Sequence, residues 1–177
     1  MVEIIKNREY KRCLNCVMDT SDERIKFDEK GVCDHCNSFY KNTLPYWEKC
    51  LNDSSGLQKR IEEIKKSGKG KDFDCIIGMS GGLDSSYLVY LAKKVFDLSP
   101  LVFHVDAGWN SDIAVSNIES IVNSLNVELF TEVINWEEMR DIQLAYFKSG
   151  VPHIDSPQDH AFFATMYKFA SKYNIKN

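Results

Sequence analysis

No apolar run in the 177 residues approaches the roughly 18 residues of a membrane span. The opening, Met1-Val2-Glu3-Ile4-Ile5-Lys6-Asn7-Arg8, lacks the apolar core of a secretory signal. Proline is scarce at 4 residues and glycine modest at 9, which excludes a collagenous or low-complexity chain. Cysteine is absent after Cys75, although six precede or include it. A cytosolic location is therefore expected, and the six are read as thiols or metal ligands rather than disulfides. Positive charge is in short supply as well. Residues 73–177 carry 7 basic side chains against 13 acidic, a net of −6, whereas residues 1–72 carry 15 against 13. The acidic part has no footprint for a nucleic-acid backbone, so nucleic acid is an unfavoured partner and only a basic patch near the N-terminus stays open. The length suits one main domain with a small appendage, large enough to need no disulfide scaffold.

What is present falls into two styles. The first 40 residues are polar and cysteine-rich, and a helical stretch follows from about Trp47 to Lys66, with Leu57, Ile61 and Ile64 on one stripe. The segment Lys66-Ser67-Gly68-Lys69-Gly70-Lys71 reads as a flexible connection. The expected division is a metal-binding module over residues 1–45, a helix and linker over 46–71, and an α/β domain over 72–177. In that domain Phe73–Met79 is a nearly continuous apolar run with the look of a strand covered on both faces, and Leu101–Asp106 and Val127–Ile134 are expected to be the second and third strands. Helices are expected between them: Ser85 to Phe96 burying Leu88, Leu91 and Val95, and a second with Ile118, Ile121, Val122 and Leu125 inward. Two more are expected over Glu137–Lys148 and Pro157–Tyr173, the last with Phe162, Met166, Phe169 and Tyr173 on one face. Such alternation predicts a doubly wound parallel sheet.

Cys13-x-x-Cys16 and Cys33-x-x-Cys36 are separated by sixteen residues. Two tight turns, each presenting a pair of thiolates, complete a tetrahedron around zinc. Four thiolates close the coordination sphere, so the site is structural. His35 lies between two of the ligands and is an alternative to one of them. Cys50 and Cys75 are solitary and are expected to be small core residues.

Ser80-Gly81-Gly82-Leu83-Asp84-Ser85-Ser86 follows the first strand and opens the first helix, where backbone N–H groups and the helix dipole converge on an anion. The Gly-Lys-Ser/Thr end of a Walker A loop is missing. Asp84 could instead cap the helix. Gly78-Met79-Ser80-Gly81-Gly82 also fits the nucleophile elbow of α/β-hydrolases, with Ser80 as nucleophile and Asp106 or Asp155 and His153 or His160 as triad partners. Against the elbow, too little sheet precedes Ser80, and Asp84-Ser85-Ser86 stays unexplained.

The run Ser80–Ser85 resembles the SGGxDS motif of the PP-loop ATP pyrophosphatases. Four further segments narrow the resemblance: Arg12-Cys13-Leu14-Asn15-Cys16-Val17-Met18-Asp19-Thr20-Ser21, Val105-Asp106-Ala107-Gly108-Trp109-Asn110, Val133-Ile134-Asn135-Trp136-Glu137-Glu138-Met139 and His153-Ile154-Asp155-Ser156-Pro157-Gln158-Asp159-His160. Together they make the chain similar to the N-acetyl sugar amidotransferases of the WbpG type over essentially its whole length. The resemblance implies an adenine nucleotide alpha hydrolase-like fold, with residues 72–177 forming the N-terminal part of a longer domain. It implies a four-cysteine zinc module, ATP and Mg2+, and conversion of a sugar acetamido group to an acetamidino group for lipopolysaccharide or flagellin glycans. It also implies a nucleotide-linked or free N-acetylated sugar as substrate. Ammonia would come from glutaminase and channel subunits resembling imidazole glycerol phosphate synthase.

On that resemblance Ser80, Gly81, Gly82, Asp84, Ser85 and Ser86 hold the nucleotide, with Asp106 at the end of the second strand on the nucleotide or its magnesium. A loop-capping role for Asp106 is the alternative. Asp84, Asp155, Asp159 and His160 are the catalytic candidates, with His153 and Gln158 beside them, and Asp159 could instead cap the last helix. Trp109 and Trp136 are candidates for stacking on a base or sugar, or for packing. A tRNA thiolase of the same superfamily and a non-catalytic zinc-bearing module are the competing readings. The thiolase is disfavoured by the acidic second half and by the lack of a cysteine after Cys75.

Overall fold

The segment Pro100-Leu101-Val102-Phe103-His104-Val105, buried throughout, forms the middle strand of a three-stranded parallel sheet. In the computed structural model, which describes residues 8–177, this strand is β2 (Pro100–Asp106), between β1 (Cys75–Gly78) and β3 (Leu129–Val133). The residues 1–7, where the sequence lacks a leader-like run, lie outside the described part. Cys75 pairs with Pro100 and Gly78 with Phe103, while Val102 pairs with Leu129 and Asp106 with Val133.

Period-two alternation sends β2 side chains to opposite faces. Val102 joins Cys75, Ile77, Met79, Val89, Ala92, Ile118 and Leu125 in one apolar cluster. Leu101, Phe103 and Val105 join Phe73, Phe169 and Ile175 in the other. Helices α4 (Leu83–Tyr90, prolonged by a π turn over Leu91–Val95) and α5 (Asp112–Leu125) supply the first face, with Ile61 and Ile64 of α3 (Ser55–Gly68). Helix α7 (Ser156–Lys172) supplies the second, and α6 (Trp136–Ser149) packs beside α7. The doubly wound α/β expectation is met. The carbonyl of Asn177 accepts from the Ile76 N–H at 3.0 Å, on the side of β1 away from β2.

Helix α4 buries a different face from the one expected. Val89 and Ala92 are the buried residues, while Leu88 is 51% exposed and Val95 54%. Tyr87 to Ala92 is an unbroken apolar run, so periodicity selects no face there. The Phe96 N–H reaches Leu91 O, five residues back, and this wide turn shifts the phase of everything after it.

The chain divides into two compact units between Gln58 and Lys59. In the part before the division, α1 (Asp34–Ser38) leads through a π turn, Phe39–Thr43, into α2 (Leu44–Asn52). The single helix expected over 47–66 is broken at Asp53, whose carboxylate accepts from the Ser55 N–H at 2.9 Å and starts α3. Leu57 is exposed rather than part of a buried stripe. The expected flexible connection at 66–71 is helical as far as Gly68, because the core uses Ile61 and Ile64 and carries the helix onward.

Candidate functional site

Both described centres grow from short backbone turns. The loop after β1 carries the first. The Gly81 φ is +77°, and a Cβ there would lie 2.3 Å from the Ala114 carbonyl oxygen on α5. Only glycine fits at that position. The Ser80 and Ser85 hydroxyls lie 3.1 Å apart, and Ser85 Oγ also accepts from the Ser80 N–H (3.2 Å) and donates to Gly82 O (3.2 Å). Gly82, rather than Asp84, is the N-cap of α4, and no side chain caps the helix. Asp84 is exposed in the first turn, and its carboxylate makes no hydrogen bond among the described residues. It is therefore available to a ligand, and the first N–H groups of α4 lack intrahelical partners. Ser86 gives its N–H to Gly82 O as part of the helix.

Three residues that no sequence motif marks hold this loop from outside. His104 is 9% exposed, on the same sheet face as Val102. Its Nδ1–H donates to Met79 O at 2.8 Å, and its Nε2 accepts from the Asn110 amide at 3.0 Å, which fixes the tautomer. Asn117 of α5 donates from Nδ2 to Gly81 O at 3.0 Å. These roles depend on which residues two separate elements bring together, and no local motif announces them.

Asp106 spends one oxygen, Oδ1, on the Gly108 N–H at 2.9 Å, so it does close the β2–α5 loop. Its other oxygen makes no hydrogen bond among the described residues. A cavity of about 270 Å³ opens at the carboxyl ends of β1 and β2, lined mainly by apolar surface from Met79, Phe103, Val105 and Phe162, with Ser80, His104 and Asn110 as its polar atoms. Trp109 and Trp136 are each about half exposed and pack edge-to-face on one another, centroids 5.0 Å apart.

The polar cluster before α7 is partly gathered. Asp155 is the N-cap of α7 and its side chain caps nothing, while Asp159 lies inside the first turn, past the capping position. His153, Asp155, Asp159 and His160 are exposed, and Gln158 is half-buried. Gln158 and Asp159 precede the cavity-lining Phe162 by four and three residues, so they share its helix face. His160, two residues before Phe162, projects from another face. Buried Gln143 donates to Ile154 O at 2.6 Å and ties this segment to α6. The hydrolase triad is not assembled, because the hydrogen-bond partner of the Ser80 hydroxyl across the loop is Ser85, not a histidine.

Two turns build the second centre. The Cys13 N–H donates to Met18 O at 2.8 Å beneath an Arg12–Asp19 bridge, and a Phe27–Cys33 bridge leads into α1. Cys13, Cys33 and Cys36 are buried around Ile25, and all four sulfurs, Cys16 included, lie within 4.8 Å of one another. The Cys13–Cys36 and Cys16–Cys33 sulfurs are 4.0 and 3.7 Å apart. A tetrahedral zinc with bonds of about 2.3 Å spaces its sulfurs by about 3.8 Å, so the cluster fits zinc. N–H groups of Asn15, Cys33 and Cys36 point at these sulfurs from 3.2–3.4 Å. Burial pushes the Cys13 thiol up, but the N–H groups of Asn15, Cys33 and Cys16 outweigh it and lower it to about 6. His35 is not a ligand, since its Nε2 is 2.8 Å from Asp22 Oδ2.

The two solitary cysteines differ. Cys75 is 7% exposed in the core, as expected, and burial, with the nearby Asp74 charge, raises its thiol to about 11. Cys50 is exposed on α2 rather than buried, because α2 has no buried residue in this structure. Among the described residues no helix is long and apolar enough to cross a membrane.

No family model matches the chain, and no curated protein matches its sequence. Solved structures do match. An NMN synthetase from Francisella tularensis is 23% identical over 67% of this chain and 50% of that one, with a TM-score of 0.51. The NH3-dependent NAD synthetase from Campylobacter jejuni subsp. jejuni NCTC 11168, in complex with nitrate, is 18% identical over 67% and 52%, with a TM-score of 0.46. An NAD+ synthetase from Burkholderia pseudomallei is 15% identical over 67% and 57%, with a TM-score of 0.45. The chain thus spans about half the length of these structures. Over two thirds of its length the chain shares its fold with the Francisella tularensis NMN synthetase.

Proposed function

We infer that the chain is the nucleotide-binding part of an ATP-dependent N-acetyl sugar amidotransferase, working in the cytoplasm on a precursor of a bacterial surface glycan. The observation that carries this reading is the loop Ser80–Ser86, at the carboxyl end of β1, with glycine required at position 81 and Asp84 unengaged. Ligands of open parallel sheets bind at that edge. The four segments that resemble the family, and a fold similar to that of the Francisella NMN synthetase, support this reading.

In this reading the N–H groups of the loop and the hydroxyls of Ser80, Ser85 and Ser86 hold the β- and γ-phosphates. Asp84 and the second oxygen of Asp106 face the accompanying Mg2+. The apolar cavity between Met79, Phe103 and Phe162 takes the nucleoside end. Asp155 and Asp159 handle the sugar on the cavity side, and His160 reaches it only from the neighbouring face of α7. The acetamido oxygen attacks the α-phosphorus, the bond to the bridging β-oxygen breaks, and pyrophosphate departs. Ammonia from the glutaminase partner then adds to the activated carbon. AMP leaves with the former amide oxygen, a proton is released, and the amidine remains. A neutral amide oxygen is a poor leaving group, so the task of the chain is to position the two reactants and stabilise charge on phosphate. Zinc in the four-cysteine cluster supplies folding stability and no chemistry.

Calorimetric titration of the zinc-loaded protein with Mg·ATP, beside Asp84→Ala, tests the reading. Saturable binding that Asp84→Ala weakens at least tenfold is expected. No binding by folded, zinc-replete protein would sink it, and AMP formation dependent on an N-acetylated sugar and ammonia separates it from a thiolase or a non-catalytic module.

A further inference from the structure

The geometry points to His104 and Asn117 as positioning residues that turn the carbonyls of the 79–82 segment away from the bound anion. The inference rests on the reading that the Ser80–Ser86 loop binds phosphate. Each peptide unit carries its C=O and N–H on opposite sides, so fixing one fixes the other. Three carbonyls of the segment are pinned from behind. Met79 O accepts from His104 Nδ1 at 2.8 Å and Gly81 O from Asn117 Nδ2 at 3.0 Å. Gly82 O accepts from Ser85 Oγ and the Ser86 N–H, both at 3.2 Å. The last pair lies within the loop and its helix, but the first two donors come from β2 and α5.

An external clamp is needed here for a physical reason. The β1 ladder ends with the Met79 N–H on Phe103 O, so beyond it no strand holds the peptides in place. Two adjacent glycines can reverse a peptide plane at little cost. The N–H groups opposite these two carbonyls, those of Ser80 and Gly82, donate to Ser85 Oγ at 3.2 Å and Ser80 Oγ at 3.3 Å and so hold the serine hydroxyls in the loop. A reversed Gly81–Gly82 unit would aim a carbonyl oxygen at the phosphate and release Ser80 Oγ, a phosphate donor. Asn110, by donating to His104 Nε2, leaves the proton on Nδ1, where Met79 O needs it. A buried imidazole in the middle strand of the sheet, held by two partners, thereby sets the direction of the loop next to it.

The test uses the full zinc-loaded chain with Mg·ATP and inorganic pyrophosphate as probes. Asn117→Leu removes the donor without adding charge, and His104→Phe removes the imidazole donor. Each is expected to weaken both probes roughly ten- to a hundredfold, the loss of one hydrogen bond to a fixed carbonyl and of one phosphate donor. His104→Asn keeps a donor near the Nδ1 position and is expected to stay within about threefold of the parent. Urea midpoints are measured alongside, and amide exchange of Gly81 and Gly82 is followed by NMR without ligand. Unaltered binding in Asn117→Leu and His104→Phe overturns the proposal while leaving the phosphate site intact. So does a His104→Asn variant as weak as His104→Phe. If the parent binds neither probe, the phosphate reading fails, and loop exchange decides the clamp: faster exchange in Asn117→Leu upholds it and unchanged exchange overturns it.

Discussion

Replacing Gly81 with alanine should do two separable kinds of damage. The first is conformational: an L side chain at φ +77° costs about 1 kcal/mol. The second is steric. The new Cβ would sit 2.3 Å from Ala114 O and 2.8 Å from Ala114 Cα, and both atoms belong to the α5 backbone rather than to a side chain that can swing aside. Forcing apart a packed loop and helix adds about 1–3 kcal/mol, so Gly81→Ala should cost about 2–4 kcal/mol. Gly150 provides the control. It has φ +68° with nothing within 4 Å of its would-be Cβ, so Gly150→Ala should show the conformational cost alone, about 1 kcal/mol. Urea unfolding of both variants, followed by circular dichroism, gives the difference directly. A domain stable by about 5–15 kcal/mol stays folded through either change, so Mg·ATP affinity can be measured on the same samples. Equal destabilisation by the two substitutions would refute the steric reasoning, and full ATP affinity in Gly81→Ala would refute the role of that close approach in shaping the loop.

Stripping the metal should collapse the region around Ile25, whose buried core is little more than that side chain and the cysteines, because zinc binding there is worth about 10–16 kcal/mol. NMR with a strong chelator should lose the signals of residues 8–45, and metal analysis should find one zinc per chain, absent in Cys13→Ser and retained in Cys50→Ser. At pH 8 iodoacetamide should label exposed Cys50 and spare buried Cys75, read by peptide mass mapping. The Cys75 thiol titrates near 11 when folded against 9.0 when free, so its contribution to stability is complete below pH 9 and is lost as pH rises towards 11. Cys75→Ser should flatten that alkaline limb of the stability profile. Gln143→Leu should leave Ile154 O without its donor and cost about 1–2 kcal/mol, with faster amide exchange over residues 151–155.

The sheet was legible because β1 and β2 are short runs rich in apolar residues, and β2, buried along nearly its whole length, is the central strand. Strand β3, with Thr131 and Val133 exposed, was legible through its place in the strand–helix alternation. The four-cysteine centre was legible because spacing alone brings two thiolate pairs to one point. Helix α4 was not, since the unbroken apolar run Tyr87–Ala92 and a π turn leave no single face for a period to pick out. Asp53 lies in a run whose pattern continues as helix, yet its carboxylate begins a new one, a choice between interior and cap that tertiary context settles. In the loop, the motif residues stood out, but His104, Asn110 and Asn117 did not. Their partners lie 25, 6 and 36 positions away in sequence, and only folding makes them neighbours.

The paired indoles of Trp109 and Trp136 give the site an optical signal of its own. One follows β2 and the other begins α6, so their 5.0 Å edge-to-face contact bridges two of the loops at the carboxyl edge of the sheet. Indoles that close couple their electronic transitions, and the near-ultraviolet dichroism of the pair follows their mutual angle, here 71°. With Trp47 replaced by phenylalanine, the remaining tryptophan spectrum would come from this pair alone. Any ligand that draws the two loops together or apart would then write its arrival into the spectrum without a label.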